Sequence, residues 1–314
     1  MIRRVLIPLD GSKLAEQVIP HLLRFITPDQ TELLLMTALS STLPSDKSNS
    51  NLAISESTST SQNYKIHEQL NNVTQELNQI SFSVTERVVP GAPTNSILSL
   101  AEEAFVDLIA MSTHGRTGLR RVLLGSVADE VVCNARPPIF LTPAAITAPP
   151  KFTPRTILLP LDGTALAEAA IPIAQQFAQN TGATLSFIRI LDSNYSEHEQ
   201  SANQTDTTKQ ATSQQATRYL EQIKLRLQLA NVTSRYQITS GDPAVAIIRA
   251  SHTEQADLIV MSTHGRSGVG RIIHGSVTRQ IIGSAICPLV LIRGILPVEV
   301  YDASHNQAFS TYAS

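Results

Sequence analysis

Two stretches of this chain hold residues of the kind and spacing that seat an anion. Ser112-Thr113-His114-Gly115 is followed, after nine residues, by Gly125-Ser126, and Ser262-Thr263-His264-Gly265 is followed, after the same interval, by Gly275-Ser276. Each Gly-Ser pair stands where a helix is expected to begin. There the first N–H groups lack intrahelical acceptors and the dipole favours negative charge. Gly115 and Gly265 allow close approach of backbone to a ligand or a positive φ. Arg116, Arg121, Arg266 and Arg271 add guanidinium groups suited to phosphate oxygens. Asp10 and Asp162, each inside a Pro-Leu-Asp-Gly run, supply a carboxylate for the polar side of a small ligand.

Each of these features also has an ordinary reading. Gly-Ser before a helix is commonly a cap, and Asp-Gly after a strand is commonly a turn. Their recurrence together, in the same order, favours a nucleotide-sized phosphate site in each half, although a duplicated turn would recur in the same way. His114 and His264 stand alone, with no second His or Cys at metal-ligand spacing, so fastening the loop is the plainer role. The glycine loops carry neither the Walker lysine nor the dinucleotide spacing, and no nucleophile elbow is present. That chemistry points to binding rather than fast catalysis.

The elements that position these residues recur too. Val5–Gly11 reads VLIPLDG and Ile157–Gly163 reads ILLPLDG, an offset of 152; Asp107–Met111 and Asp257–Met261 match at an offset of 150. The chain is therefore a duplicated domain. Domain one is expected over 1–144, a proline-bearing linker over 145–154, domain two over 155–293, and a mixed polar tail over 294–314. In the first half, strands are expected at Arg4–Pro8, Glu32–Ala38, Phe82–Val88, Val106–Met111 and Ile139–Leu141. Helices are expected from Ser12 to about Phe25, Thr94–Glu103 and Ser126 to about Asn134, with a further one resuming near Tyr64. The second half repeats the strands near 156–160, 184–190, 235–239, 257–261 and 289–292, with a helix resuming near Ala216. Continuous apolar strands joined by helices indicate an α/β class, a mainly parallel sheet covered on both faces. Ser12 and Thr164 are placed as caps. Pro20 and Pro172 are expected to kink the helices that contain them. The polar stretches 40–63 and 192–215 lack the apolar area needed to offset ordering entropy.

Composition bounds the partners. Lys plus Arg number 24 against 26 Asp plus Glu, so no broad field exists to hold a nucleic acid backbone. No apolar run reaches membrane-span length and the N-terminus has no signal pattern, which makes a cytoplasmic location the expectation. Cys133 and Cys287 are expected to be buried free thiols.

The two motifs Ser112-Thr113-His114-Gly115…Gly125-Ser126 and Ser262-Thr263-His264-Gly265…Gly275-Ser276, with the Pro-Leu-Asp-Gly strand ends before them, resemble the universal stress protein family in tandem. The family signature is G-x-x-G, nine residues, then G-[ST]. The resemblance implies two five-stranded parallel sheets of order 3-2-1-4-5. It implies an adenine-nucleotide ligand such as ATP, often with a divalent cation (Mg²⁺ or Mn²⁺). On the same basis Asp10 or Asp162 lies by the adenosine, Ser112 and Ser262 by the ribose, and Gly115, Gly125, Ser126, Gly265, Gly275 and Ser276 by the phosphates. Both halves depart from the signature at its first glycine, where Ser112 and Ser262 bring a Cβ and a hydroxyl to the sugar. Family members pair through the last strand, so the fused copies are expected to form an internal pseudo-dimer. Such proteins can still self-associate. The implied function is an adenine-nucleotide-binding stress-response protein; a scaffold of the same fold without nucleotide, or a slow ATPase, are the alternatives.

Overall fold

A computed structural model describes residues 1–39, 67–113, 124–146, 153–191, 206–264 and 275–294. The first half runs β1 (Arg4–Pro8), α1 (Lys13–Glu16), α2 (Val18–Leu22), β2 (Glu32–Leu39), α3 (67–79) and β3 (Ser83–Pro90). It continues with α4 (Pro93–Glu103), β4 (Leu108–Ser112), α5 (Ser126–Asn134) and β5 (Ile139–Thr142). The second half runs β6 (Thr156–Pro160), α6 (Ala165–Glu168), α7 (Ile171–Thr181), β7 (Thr184–Leu191), α8 (Asp206–Leu229) and β8 (Ser234–Ser240). It ends with α9 (Pro243–Thr253), β9 (Leu258–His264), α10 (Ser276–Ser284) and β10 (Leu289–Gly294).

The strands form a single ten-stranded sheet, ordered β3-β2-β1-β4-β5-β10-β9-β6-β7-β8. Each half is thus a 3-2-1-4-5 sheet, parallel as the alternation of strands and helices predicts and in the order the family resemblance implies. The halves join antiparallel along the last strands, with Leu141 opposite Leu289, Phe140 opposite Val290 and Ile139 opposite Leu291. Each β5-type strand would otherwise be an edge with unpaired backbone groups. Duplication lets each half cover the other's edge, and this is the internal pseudo-dimer.

Val5, Leu6 and Ile7 are all fully buried, the mark of a strand covered on both faces. One apolar layer gathers β-strand residues under α1, α2 and α3 with their counterparts α6, α7 and α8; the other lies under α4, α5, α9 and α10. Both layers run through the seam. Phe25 sits 6.1 Å from Phe140 and 5.5 Å from Phe177, ring centre to ring centre, so aromatic packing crosses from one half to the other.

The prolines act differently from the sequence expectation. Instead of one kinked helix, each half has two short helices with a break between them. Pro20 lacks the N–H that would bond the carbonyl of Glu16, and Pro172 lacks the one for Glu168. α1 ends at Glu16 and α6 at Glu168. Each proline then lies in the first turn of the next helix, where its missing donor is an orphan anyway and costs little. The polar stretch 192–215 is also corrected in part, because α8 begins at Asp206 rather than near Ala216. Segments 40–63 and 192–205 lie outside the described residues. Among the described residues, no helix is long and apolar enough to cross a membrane.

Candidate functional site

The carboxyl ends of β1 and β4 share one rim, because these strands are neighbours with Val5 opposite Leu108 and Leu6 opposite Ile109. β6 and β9 are placed likewise, with Ile157 opposite Leu258 and Leu158 opposite Ile259. At this position chain connections leave in opposite directions, which is where open α/β sheets generally take their ligands.

Asp10 and Asp162 stand on this rim, and both organise their own turns. Asp10 Oδ1 accepts the Ser12 N–H at 2.9 Å; Asp162 Oδ1 accepts the Thr164 N–H at 2.9 Å and the Thr164 hydroxyl at 2.6 Å. Gly11 and Gly163 between them have φ of 79° and 82°, left-handed values that a side chain would strain. Ser12 Oγ and Thr164 Oγ1 accept the N–H groups of Ala15 and Ala167, each at 3.1 Å, and so cap α1 and α6 as expected.

Ser112, at the end of β4, is buried, and its hydroxyl donates to the Leu14 carbonyl at 2.6 Å. The bond ties the β4 end to α1, directing the hydroxyl to the protein rather than to a sugar. Ser262 occupies the same place in β9, yet its Oγ is shut off from solvent and, among the described residues, has no hydrogen-bond partner.

Gly125 and Gly275 are the N-cap residues of α5 and α10, and Ser126 and Ser276 are the first residues inside. Neither helix has a side-chain cap, so neither serine takes the capping role. Among the described residues, the N–H groups of Ser126, Val127 and Ala128 meet no acceptor, and the same holds for Ser276, Val277 and Thr278. The Gly125 amide is another matter. It donates to the Thr113 carbonyl at 2.7 Å, which corrects the expectation that both residues of that pair offer free N–H groups. Gly115, Arg116, Arg121, Gly265, Arg266 and Arg271 lie outside the described residues.

Two residues enter the picture that motif reading passed over. Gln69 Nε2 donates to the Gly11 carbonyl at 2.9 Å, pinning the Asp10 turn from α3. Arg189, in β7, lays its guanidinium over Gly163, where a Cβ would meet Nη1 at 2.9 Å. Its counterpart is Thr37, whose hydroxyl donates to the Leu9 carbonyl at 2.9 Å. An arginine inside the apolar run Thr184–Leu191 was the available signal. Tyr219 of α8 stands close by, its phenol pushed up by burial and then by the Glu168 carboxylate. Arg226 pairs with that carboxylate at 3.1 Å.

The cysteines are both free; Cys287 is buried and Cys133 half-buried. Among the described residues there is no group of three or more His, Cys, Asp or Glu able to hold a metal ion.

Comparison with known proteins agrees with this architecture. The model of the universal stress protein family matches residues 1–143 and 153–293. A universal stress protein of Methanocaldococcus jannaschii is 29% identical over 153 residues, covering 45% of this chain and 94% of that protein. One from Mycobacterium tuberculosis is 26% identical over 221 residues, covering 68% of this chain and 70% of its own. The crystal structure of a universal stress protein from Archaeoglobus fulgidus superposes with a TM-score of 0.68 at 19% identity, covering 92% of this chain and 98% of that one. With both repeats matched across most of its length, the chain belongs to the universal stress protein family.

Proposed function

We propose that this chain binds an adenine nucleotide, ATP in the first instance, and acts in a stress response through its ligand-bound state. One observation carries the reading. A helix start with three N–H groups, those of Ser276, Val277 and Thr278, that meet no acceptor among the described residues follows a strand whose neighbour ends at the Asp162 turn. Backbone donors and a helix dipole suit a phosphate, and a carboxylate across the crevice suits the donors of a nucleoside. The first half offers the same groups at Ser126 and Asp10. Gly115 and Gly265 would complete the two phosphate seats by family resemblance, and Arg116 and Arg266 by the fit of a guanidinium to phosphate oxygens. A Mg²⁺ or Mn²⁺ ion would arrive with the phosphates, which supply its hard oxygen ligands.

Binding, rather than turnover, is the favoured activity. The motifs contain no lysine aimed at a transferring phosphoryl group, and the rim aspartates spend one oxygen on their own turns. Titration calorimetry with ATP and Mg²⁺ tests the reading, with heat of binding expected. Absence of heat at millimolar nucleotide would leave the scaffold alternative, and sustained release of ADP would instead favour the slow ATPase. Mass spectrometry of nucleotide retained through purification gives an independent answer.

A further inference from the structure

The two crevices are built from the same motif but have spent their polar groups differently. In the first half the rim is closed on itself. Ser112 donates to the Leu14 carbonyl, Thr37 to the Leu9 carbonyl and Gln69 to the Gly11 carbonyl. The Gly125 amide, at the edge of the helix start, is taken by the Thr113 carbonyl. β4 stops at Ser112, which leaves that carbonyl outside the strand and able to accept.

Among its described residues, the second half lacks each of these closures. β9 continues two residues further, to His264, and pairs with β10 as far as Gly294, so Thr263 lies within the strand pairing. Among the described residues, the Gly275 amide has no acceptor, and a Cβ added at Gly275 would meet nothing within 4 Å. Ser262 Oγ is buried without a partner among the described residues, and so are Nε and Nη1 of Arg189 against the Asp162-Gly163 turn. Tyr219 replaces Gln69 and faces Glu168, leaving the turn without the glutamine clamp. Buried polar atoms without partners are costly, and a ligand that supplies acceptors removes that cost only where the atoms are orphaned. Among the described residues, the orphans of the first half include Thr142 Oγ1, on β5 two strands away from the Asp10 turn, and Gln17 Oε1, between α1 and α2.

We infer that the crevices are inequivalent and that the second, at Asp162, Ser262, Gly275 and Ser276, takes the nucleotide in preference, with one tight site per chain. The first half then serves chiefly as the partner that covers the sheet edge. This rests on the nucleotide reading above and goes on to say which half carries it.

Calorimetry of the full chain with ATP and Mg²⁺ is expected to give a tight stoichiometry of one, and Ser262→Ala is expected to weaken that site about fivefold. Gly275→Val, placed in open space, should keep the fold and abolish the tight phase. Photolabelling with 8-azido-ATP, competed by ATP, locates the site without relying on any variant; labelled peptides should come from residues 153–294. Two sites of equal affinity, or label confined to residues 1–146, would overturn the inference while leaving the nucleotide reading standing. No binding and no competed label would overturn both.

Discussion

Arg24, just beyond α2 in the first half, meets Asp257, just ahead of β9 in the second, at 2.6 Å from Nη2 to Oδ1, with both side chains only 12% exposed. The other oxygen of Asp257 accepts the N–H groups of Arg155 and Thr156, so the carboxylate ties the start of β6 to β9 as well as to the first half. Asp107 does the same for Arg3 and Arg4. The symmetry ends there, because Gln176 occupies the place equivalent to Arg24 and accepts the Ile2 N–H at 2.8 Å.

Removing one partner of this pair leaves a buried charge behind. Arg24→Ala and Asp257→Ala are each expected to cost about 3–5 kcal/mol, with Asp257→Ala the worse because it also frees two backbone donors. A double-mutant cycle followed by urea unfolding should give a coupling of about 1–3 kcal/mol. Salt at 1 M should change it little, since the pair is withdrawn from solvent.

Gly163→Ala forces a side chain into left-handed backbone and against the Arg189 guanidinium. Gly182→Ala meets the same backbone penalty at φ 74° but open space. Both should lose about 1–2 kcal/mol from the backbone alone. Gly163→Ala should lose further, by at most about 1 kcal/mol because the obstacle is the mobile end of a side chain. That excess should vanish in an Arg189→Ala background, as measured by thermal unfolding of the four variants.

The signature serines should respond in opposite ways without ligand. Ser112→Ala removes the bond to Leu14 and is expected to cost about 1 kcal/mol. Ser262→Ala deletes a buried hydroxyl that has no partner, so stability should hold or rise. Equal losses in chemical denaturation would contradict the assigned hydrogen bonding.

Cys287 gives the stability a pH dependence. Burial, then the nearby Asp257 carboxylate, pushes its thiol up, so the folded chain keeps the proton after the unfolded chain has released it near pH 8.5. The contribution is whole below that pH and falls away as the pH climbs past it. Between pH 8 and 9.5, Cys287→Ala should show a shallower decline in stability than the unaltered chain, whatever its absolute stability.

The duplication, the parallel sheets and the placing of Asp10 and Asp162 at strand ends could be read from the order of residues; the strand order 3-2-1-4-5 followed only from the family resemblance. Repeated blocks and unbroken apolar strands such as Val5–Ile7 are local patterns, and local patterns survive without coordinates. The helix caps at Ser12 and Thr164 were legible for the same reason. The role of the prolines was only half legible: their missing N–H predicts a break, but whether the chain kinks or restarts depends on packing.

Linear order could not say how each polar group is spent, because a hydrogen bond belongs to two residues that folding brings together. Ser112 and Ser262 look identical along the chain, yet one meets the Leu14 carbonyl and the other has no hydrogen-bond partner among the described residues. Arg24 and Asp257 lie 233 residues apart, and only the antiparallel seam between the halves makes them neighbours. The amino-acid sequence determined two equivalent scaffolds. Tertiary contacts decided that they are not equivalent in hydrogen bonding, since each rim is satisfied or left wanting by side chains from elements far away in the chain.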